Sequence, residues 1–582
     1  MLAEFSMRSA ARREAGQGVT RLTVFLVLAV TLMVRLLHLR YALNSPLTYQ
    51  PGPDEDFYFR FGKAVAAGLG SDSAELAFMD PFYGYMLGTV FKVAGANLFV
   101  VYLLQILLDT LTVYCIFQIG RLLDRPRAGL IAALLYGLAC TAVLFTTTLL
   151  KATWVANYMV LWVLFGLMLL RTQKIYGWLL FGIWCGYGVA LRGNLTLMVG
   201  LAVLLLGWLN VTWARRSTPQ TASCLALLLV GIALPLLLLA ARNEQISKSF
   251  TPLPNNGGVV LHQVYNPDNP RGVNWVPKFV NYSHPTETWR GYAAEAERRL
   301  GRSLTPHDVD QYWRSEAVAY IKAEPMHALG NIARKFTEFF AYLEIPNNRS
   351  LPEERLFSPV LRTLPSPFGW LLAFGVPGLA ILLYRDRRAL LAIAPIAVAL
   401  FTCSVFFAED RFRFHAVPML ALGSGLFLDD VYAWIRTHQP KKWAIGIVAA
   451  GLIGSSSVLL AQHMTQPPVT WDRIVWGYIR MGKLGDAKAL ATKVAAEQPP
   501  AAPIQEALGY LAVADSDVAG AIEHYRLATH LRPDSHVAHY NLAKMLAKTG
   551  ALDDAASEAA TAVRIAPLPE YQALLAELTS KK

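Results

Sequence analysis

Chemistry at a membrane surface needs a group that can move a proton and a counter-charge to stabilise what leaves. Residues 49–68, YQPGPDEDFYFRFGKAVAAG, set Asp54, Glu55 and Asp56 beside a run of aromatics, directly after the first long apolar segment. Pro53 and Asp54 read as a helix start, because Pro fits the first turn and Asp accepts from unpaired backbone N–H groups. The helix that follows places Phe57, Phe61, Ala64 and Val65 on one face, with Arg60 and Lys63 away from it, so it can lie in a headgroup layer. Candidate counter-charges are Lys151, Arg192, Arg411 and Arg413. A carboxylate can take a proton from an attacking hydroxyl while Lys and Arg stabilise a departing phosphate, for which the guanidinium fork is well matched. The set therefore suits a reaction on an anionic lipid headgroup. Plainer roles exist for each residue. The carboxylates can cap the helix and favour its dipole, Lys151 and Arg192 can snorkel to an interface, and Glu409 and Asp410 can neutralise Arg411 and Arg413.

A further stretch, FTPLPNNGGVVLHQVYNPDNPRG from Phe250, contributes Asn255, Asn256, Gly257, Gly258 and His262 as candidate substrate-loop residues. His262 is the only histidine in that motif, and a lone loop histidine more often serves as a structural donor. No HExxH, no paired His/Cys ligands and no P-loop occur, which argues against a metalloprotease or an ATP-driven pump and leaves no metal site indicated.

The elements that must hold these residues are membrane spans. Of 582 residues, 54% are apolar and 16% charged, too apolar for a chain of ordinary soluble domains. The net charge of +12 comes from Lys and Arg in short clusters between apolar runs, a topology signal rather than a nucleic-acid face. The five cysteines lie in or beside apolar segments without a CxxC pair, so neither a disulfide framework nor structural zinc is expected.

Residues 1–21 hold Arg8, Arg12, Arg13 and Arg21, marking a cytosolic end. Spans are expected at about 22–39, 98–119, 129–149, 153–170, 177–191, 195–213, 222–240, 367–384, 389–407, 414–434 and 443–461, near the ~20 residues that a crossing requires. That makes about 11 spans. A first outer loop, 39–97, should carry two surface helices, the second in DPFYGYMLGTVFKVAG. A large outer loop, 241–365, should form a small, partly helical domain. With the basic loops in the cytosol, Asp54, Lys151, Arg192 and Arg411 all reach the outer face.

From residue 463 the chain becomes Ala-rich and charged. Ala487, Ala521 and Ala555 share a register, as do Pro499, Pro533 and Pro567, with Gly482, Ser516 and Gly550 at the turns. A period of about 34 with helix, small turn residue, helix and closing Pro is the tetratricopeptide pattern, and such arrays usually present a surface to a peptide or partner protein. The expected fold class is thus all-α: a polytopic membrane domain at 22–462 with an outer-loop domain, then a repeat solenoid at 463–582.

The ordered set PDEDFYFRFGKAVAAG, DPFYGYMLGTVFKVAG, GVALRGN, ARNEQISKSFTPLPNNGG, KFTEFFAYLEIPNN and DRFRFHAVP resembles the C-type superfold of membrane glycosyltransferases, over about residues 20–435. That superfold includes protein O-mannosyltransferases and aminoarabinose transferases, which use polyprenyl-phosphate sugars. The resemblance implies Asp54 as general base, Glu55 orienting the acceptor or assisting, inversion at the anomeric carbon, and donor-phosphate contacts at Arg192 and at Arg411 or Arg413. Arg242, just after a span, is a further candidate. Many members carry a second carboxylate where this chain has Lys151 in TTLLKATW. That departure favours a cation on the lipid phosphate over a metal, so no cofactor is required.

The implied partners are a polyprenyl-phosphate-sugar donor (undecaprenyl in a bacterium), a protein or glycolipid acceptor, a protein at the repeats and the membrane itself, but no nucleic acid. Two other readings stand beside the transfer of sugar to protein: the same fold with a lipid or polysaccharide acceptor, and a non-catalytic anchor for the repeats. A transporter is disfavoured by the lack of broken-helix repeats and of mid-span carboxylates. An outer domain without disulfides leans towards a bacterial inner membrane, with the repeats in the periplasm.

Overall fold

The computed structural model describes residues 19–580, apart from 70–77, 173, 281–283, 367 and 465–466, and the described residues are helical throughout with intervening turns. Most of the N-terminal segment expected in the cytosol, with Arg8, Arg12 and Arg13, lies outside the described residues. The chain divides into two compact units, Met1–Leu43 with Gly52–Pro467, and Asn44–Pro51 with Pro468–Lys582.

The first unit is an integral membrane domain. Among the described residues, eight helices are long and apolar enough to cross a membrane, and two more apolar helices, Ile175–Leu191 and Ala389–Val405, are shorter. Ten of the eleven expected spans thus have a helical counterpart. The run at 129–149 does not: it divides into Pro126–Gly137 and Cys140–Phe145, followed by a turn of threonines. Thr146, Thr147 and Thr148 each bond a carbonyl three residues back, so their hydroxyls satisfy the tight backbone that replaces a continuous helix.

Asp109 is a mid-span carboxylate, contrary to the expectation of none. It is fully buried and committed to structure: Arg35 Nε donates to Oδ2 at 2.7 Å, and Tyr136 donates to Oδ1 at 2.5 Å. This pairing also explains how Arg35 is tolerated within the first span, since a buried charge needs a partner. Helices Ile175–Leu191 and Thr218–Ser247 approach backbone to backbone, and a Cβ on Gly182 would lie 2.2 Å from the Leu228 carbonyl. Small residues at such a crossing permit close packing where no water drives association.

Both expected surface helices form, as Pro53–Ala66 and Pro81–Ala94. They pack on each other, with Phe57, Phe61, Tyr83 and Leu87 buried together, while Arg60 and Lys63 remain exposed. The amphipathic face read from the sequence therefore meets protein. The large outer loop folds into short helices, among them Gly257–Val264, Pro285–Leu300, Pro306–Ala323 and Pro325–Phe339.

The second unit holds three helix pairs, Trp471–Arg480 with Leu484–Glu497, Ala502–Ala514 with Val518–Leu531 and His536–Lys548 with Leu552–Ile565, closed by Pro569–Ser580. The in-register alanines Ala487, Ala521 and Ala555 are fully buried. Residues 44–51, assigned from sequence to the outer loop, pack into this unit: a Cβ on Gly477 would lie 2.2 Å from the Pro46 carbonyl, and Arg473 Nε donates to the Gln50 carbonyl at 2.9 Å. The three turn positions are left-handed, with φ of +73° at Gly482, +64° at Ser516 and +83° at Gly550. Only the middle one carries a Cβ, which costs about 1 kcal/mol in that region. Ser516→Gly is expected to stabilise the repeats by about 1 kcal/mol, raising their melting transition in the full chain; an unchanged or lower transition would contradict this account of the turn.

Candidate active site

Asp54 stands in the first turn of Pro53–Ala66, where Gly52 is the N-cap. Its carboxylate is gripped on one oxygen from two sides: Arg411 Nη1 pairs with Oδ2, and Asn348 Nδ2 donates to the same atom at 3.0 Å. Asn348 Oδ1 in turn accepts the Asp54 N–H at 3.0 Å, so one amide fixes both the carboxylate and the backbone that carries it. Gly52 makes room for this amide, since a Cβ there would lie 2.7 Å from Asn348 Oδ1. Among the described residues no hydrogen bond reaches Asp54 Oδ1.

Glu55 plays another part. It is fully buried, with Oε2 accepting from Gly52 N at 2.9 Å and Arg349 Nε at 2.8 Å, and Oε1 accepting from Leu149 N at 3.0 Å. Arg349 is also held by Glu354 at 2.7 Å. Glu55 thus ties the acidic helix to the Leu149 turn and to the Asn347–Arg349 segment, and it is absent from the cavity wall.

The cations differ in how far they are neutralised. Arg411 meets Asp54 and also Glu409, the latter at 2.8 Å. Lys151 pairs with Asp80, whose other oxygen accepts Gly193 N at 2.9 Å, so Asp80 pins both the Lys151 turn and the Arg192–Gly193 turn. Arg192 ends the Ile175–Leu191 helix in extended backbone, and its guanidinium lies 4.1 Å from the centre of the Phe412 ring. Arg411 packs on the same ring at 4.8 Å. Among the described residues, the Arg192 guanidinium has neither a hydrogen bond nor an ion pair to a carboxylate. A ring that holds two cations by their attraction to its face keeps Arg192 in place without cancelling its charge.

These groups line one cavity of about 520 Å³, with Asp54, Tyr58, Asp80, Lys151, Arg192, Asn194, Asn256, Gly257, Asn347, Asn348 and Arg411 on its wall. Of the residues picked from sequence, the structure brings together Asp54, Lys151, Arg192, Arg411, Asn256 and Gly257. The others lie off the wall for definite reasons. Arg413 is fully buried, donating to the Leu343 and Ala341 carbonyls at 2.5 Å each. Arg242 donates to Tyr85 Oη at 3.2 Å and to Asn243 Oδ1 at 3.0 Å. Asn255 is buried, and the Gly258 N–H donates to Asp310 Oδ1 at 2.5 Å. His262 packs 4.4 Å from the Trp313 ring centre, and burial, aided by the Arg299 charge, pushes it down to about 4, so it is neutral near pH 7.

Sequence reasoning missed Tyr58, Asp80, Asn194, Asn347, Asn348 and Phe412. Tyr58 follows Asp54 by one helical turn, the spacing that puts two side chains on one face. Asp80 opens DPFYGYM and the asparagines close LEIPNN, both stretches noted from the sequence without a role for those residues.

The model of the dolichyl-phosphate-mannose-protein mannosyltransferase family matches residues 79–235, the segment holding Asp80, Lys151, Arg192 and Asn194. This segment of the membrane unit is thus similar to that mannosyltransferase family. A tetratricopeptide model matches residues 512–578 in the second unit. No curated protein matches. Among solved structures, the oligosaccharyltransferase of Archaeoglobus fulgidus in the apo form is 14% identical with a TM-score of 0.42, covering 80% of this chain and 59% of that one. The archaeal enzyme in complex with an inhibitory peptide and a dolichol-phosphate gives 14% and 0.43 over the same shares. The form tethered to an acceptor peptide gives 14% and 0.39. This chain therefore spans under two thirds of the length of those structures.

Burial alone raises the Asp54 carboxyl, but the Arg411 ion pair, the Lys151 charge and the Asn348 hydrogen bond outweigh it and hold the group below the usual carboxylate range. Asp54 is then ionised at neutral pH and takes up its proton only in acid. Removing the guanidinium raises that pKa. Infrared titration of the Asp54 carboxyl band, identified by its loss in Asp54→Asn, should show Arg411→Gln protonating at higher pH than wild type. A titration unmoved or shifted to lower pH would show that Arg411 does not set the charge of Asp54.

Proposed function

We propose that this chain transfers a sugar from a polyprenyl-phosphate donor to a hydroxyl of a protein acceptor, with Asp54 as general base. The observation that carries the reading is the pairing, in one cavity, of a carboxylate with one oxygen open and a guanidinium with no counter-ion among the described residues. Asp54 Oδ1 takes the acceptor proton, the acceptor oxygen bonds to the anomeric carbon, and the bond from that carbon to the phosphate oxygen breaks with its electron pair staying on the phosphate. Arg192 meets the charge that develops there, and Lys151 and Arg411 add positive potential from ion pairs that can rearrange around a phosphate. One displacement inverts the anomeric centre.

The donor leaves a single phosphate, so cations suffice and the reading requires no metal. The loop charges support a cavity on the outer face, with the N-terminus in the cytosol and the repeats outside, as in a bacterial inner membrane. Undecaprenyl phosphate is then the carrier. The repeats supply the surface for the acceptor protein or a partner that delivers it.

Transfer from a panel of polyprenyl-phosphate sugars, in membranes holding the full chain, tests the reading. Asp54→Asn should lower turnover by about a hundredfold or more, the usual reach of a positioned base, at matched protein levels. Turnover equal to wild type would remove Asp54 from the mechanism.

A further inference from the structure

Three polar atoms on the cavity wall are buried and have no hydrogen-bond partner among the described residues: Tyr58 Oη, Asn194 Oδ1 and Asn347 Nδ2. A buried polar atom left unpaired costs about 1–3 kcal/mol, so atoms of this kind grouped on one cavity wall call for a ligand that pairs with them.

The local bonds fix what each atom offers. Thr402 Oγ1 donates its proton to the Val398 carbonyl at 2.8 Å, so its contact with Asn194 at 2.9 Å must be a donation from Nδ2. Asn194 Oδ1 is therefore an acceptor. Asn348 Oδ1 accepts the Asp54 N–H, which orients that amide so that its Nδ2 donates to Asn347 Oδ1 at 3.1 Å. Asn347 Nδ2 is therefore a donor. Burial, with the carboxylates of Asp80 and Asp54 after it, holds the Tyr58 hydroxyl well above the usual phenol range, so it stays protonated and can both give and accept.

Their places along the cavity also differ. Asn347 adjoins the Asn348 clamp on Asp54, Asn194 follows Arg192 by two residues, and Tyr58 feels the charges of Asp54, Asp80, Arg192 and Arg411 together. On the glycosyl-transfer reading above, on which this inference rests, the sugar ring lies between the base and the phosphate cations. A phosphate offers only acceptors at neutral pH and cannot satisfy Asn194 Oδ1, whereas a sugar hydroxyl both donates and accepts.

We propose that Tyr58, Asn194 and Asn347 are the specificity-determining residues that read the hydroxyl groups of the transferred sugar. A site built to bond a hydroxyl rejects an analogue lacking it, because its own buried atom is left unpaired.

The experiment compares kcat/KM in membranes holding the full chain for polyprenyl-phosphate mannose, glucose and galactose, then for the monodeoxy forms of the sugar used best. Wild type should use at least one deoxy form about 10- to 100-fold less well than its parent. Tyr58→Phe, Asn194→Leu and Asn347→Leu should each lower use of the parent sugar and erase discrimination at a ring position of their own. Binding of polyprenyl phosphate without sugar should stay unchanged in all three, which a misfolded variant would not give. Variants that keep the wild-type ranking of deoxy forms overturn the assignment while glycosyl transfer stands. If the full chain turns over none of the donors, the glycosyl-transfer reading itself fails and this assignment with it.

Discussion

The site depends on one buried carboxylate that lies off the cavity wall. Glu55 joins the N-terminus of the Pro53–Ala66 helix, the turn ahead of Lys151 and the segment carrying Asn347 and Asn348, through bonds to Gly52 N, Leu149 N and Arg349. These segments are far apart in sequence, and each contributes to the cavity wall. Removing one partner of a buried pair costs about 3–5 kcal/mol, because the other charge is left without compensation. Asp80 makes a second tie of the same kind between the Lys151 turn and the Arg192–Gly193 turn. Precise placement of reacting groups follows from residues that join the segments from which the wall is built.

With those ties made, the charges sort themselves. Asp80 neutralises Lys151, and Asp54 and Glu409 share Arg411. Among the described residues, one oxygen of Asp54 and the guanidinium of Arg192 are left over, the latter held on Phe412. A base that stays ionised in a buried site needs a cation beside it, and a cation meant for a ligand must not already be spent on a carboxylate. The cavity meets both conditions with separate arginines.

Much of this was legible in the sequence. Loop charges alternate with apolar runs strongly enough to bring Asp54, Lys151, Arg192 and Arg411 to one face, and the repeats announced themselves through coincident Ala, Pro and turn positions. Neighbours on a helix were harder to separate. Asp54 and Glu55 differ by one residue, about 100° around the axis, which sends one to the cavity and the other into the core. Arg411 and Arg413 part in the same way. The reading of 129–149 as one span rested on hydropathy alone, which does not register a break whose backbone is satisfied by threonine hydroxyls. Asparagines carry no charge signal, so Asn347 and Asn348 stayed silent although Asn348 holds Asp54 and Asn347 flanks it. The joining of residues 44–51 to the repeat unit leaves no periodic trace in so short a segment.

The central claim is that one carboxylate oxygen acts as a base in a single displacement. The most direct measurement is the anomeric configuration of the sugar, by nuclear magnetic resonance, in donor and in product made by the full chain. Inversion is the predicted result. Retention would require two successive displacements or attack from the face that the phosphate leaves, neither of which is a single in-line displacement, and would contradict the account.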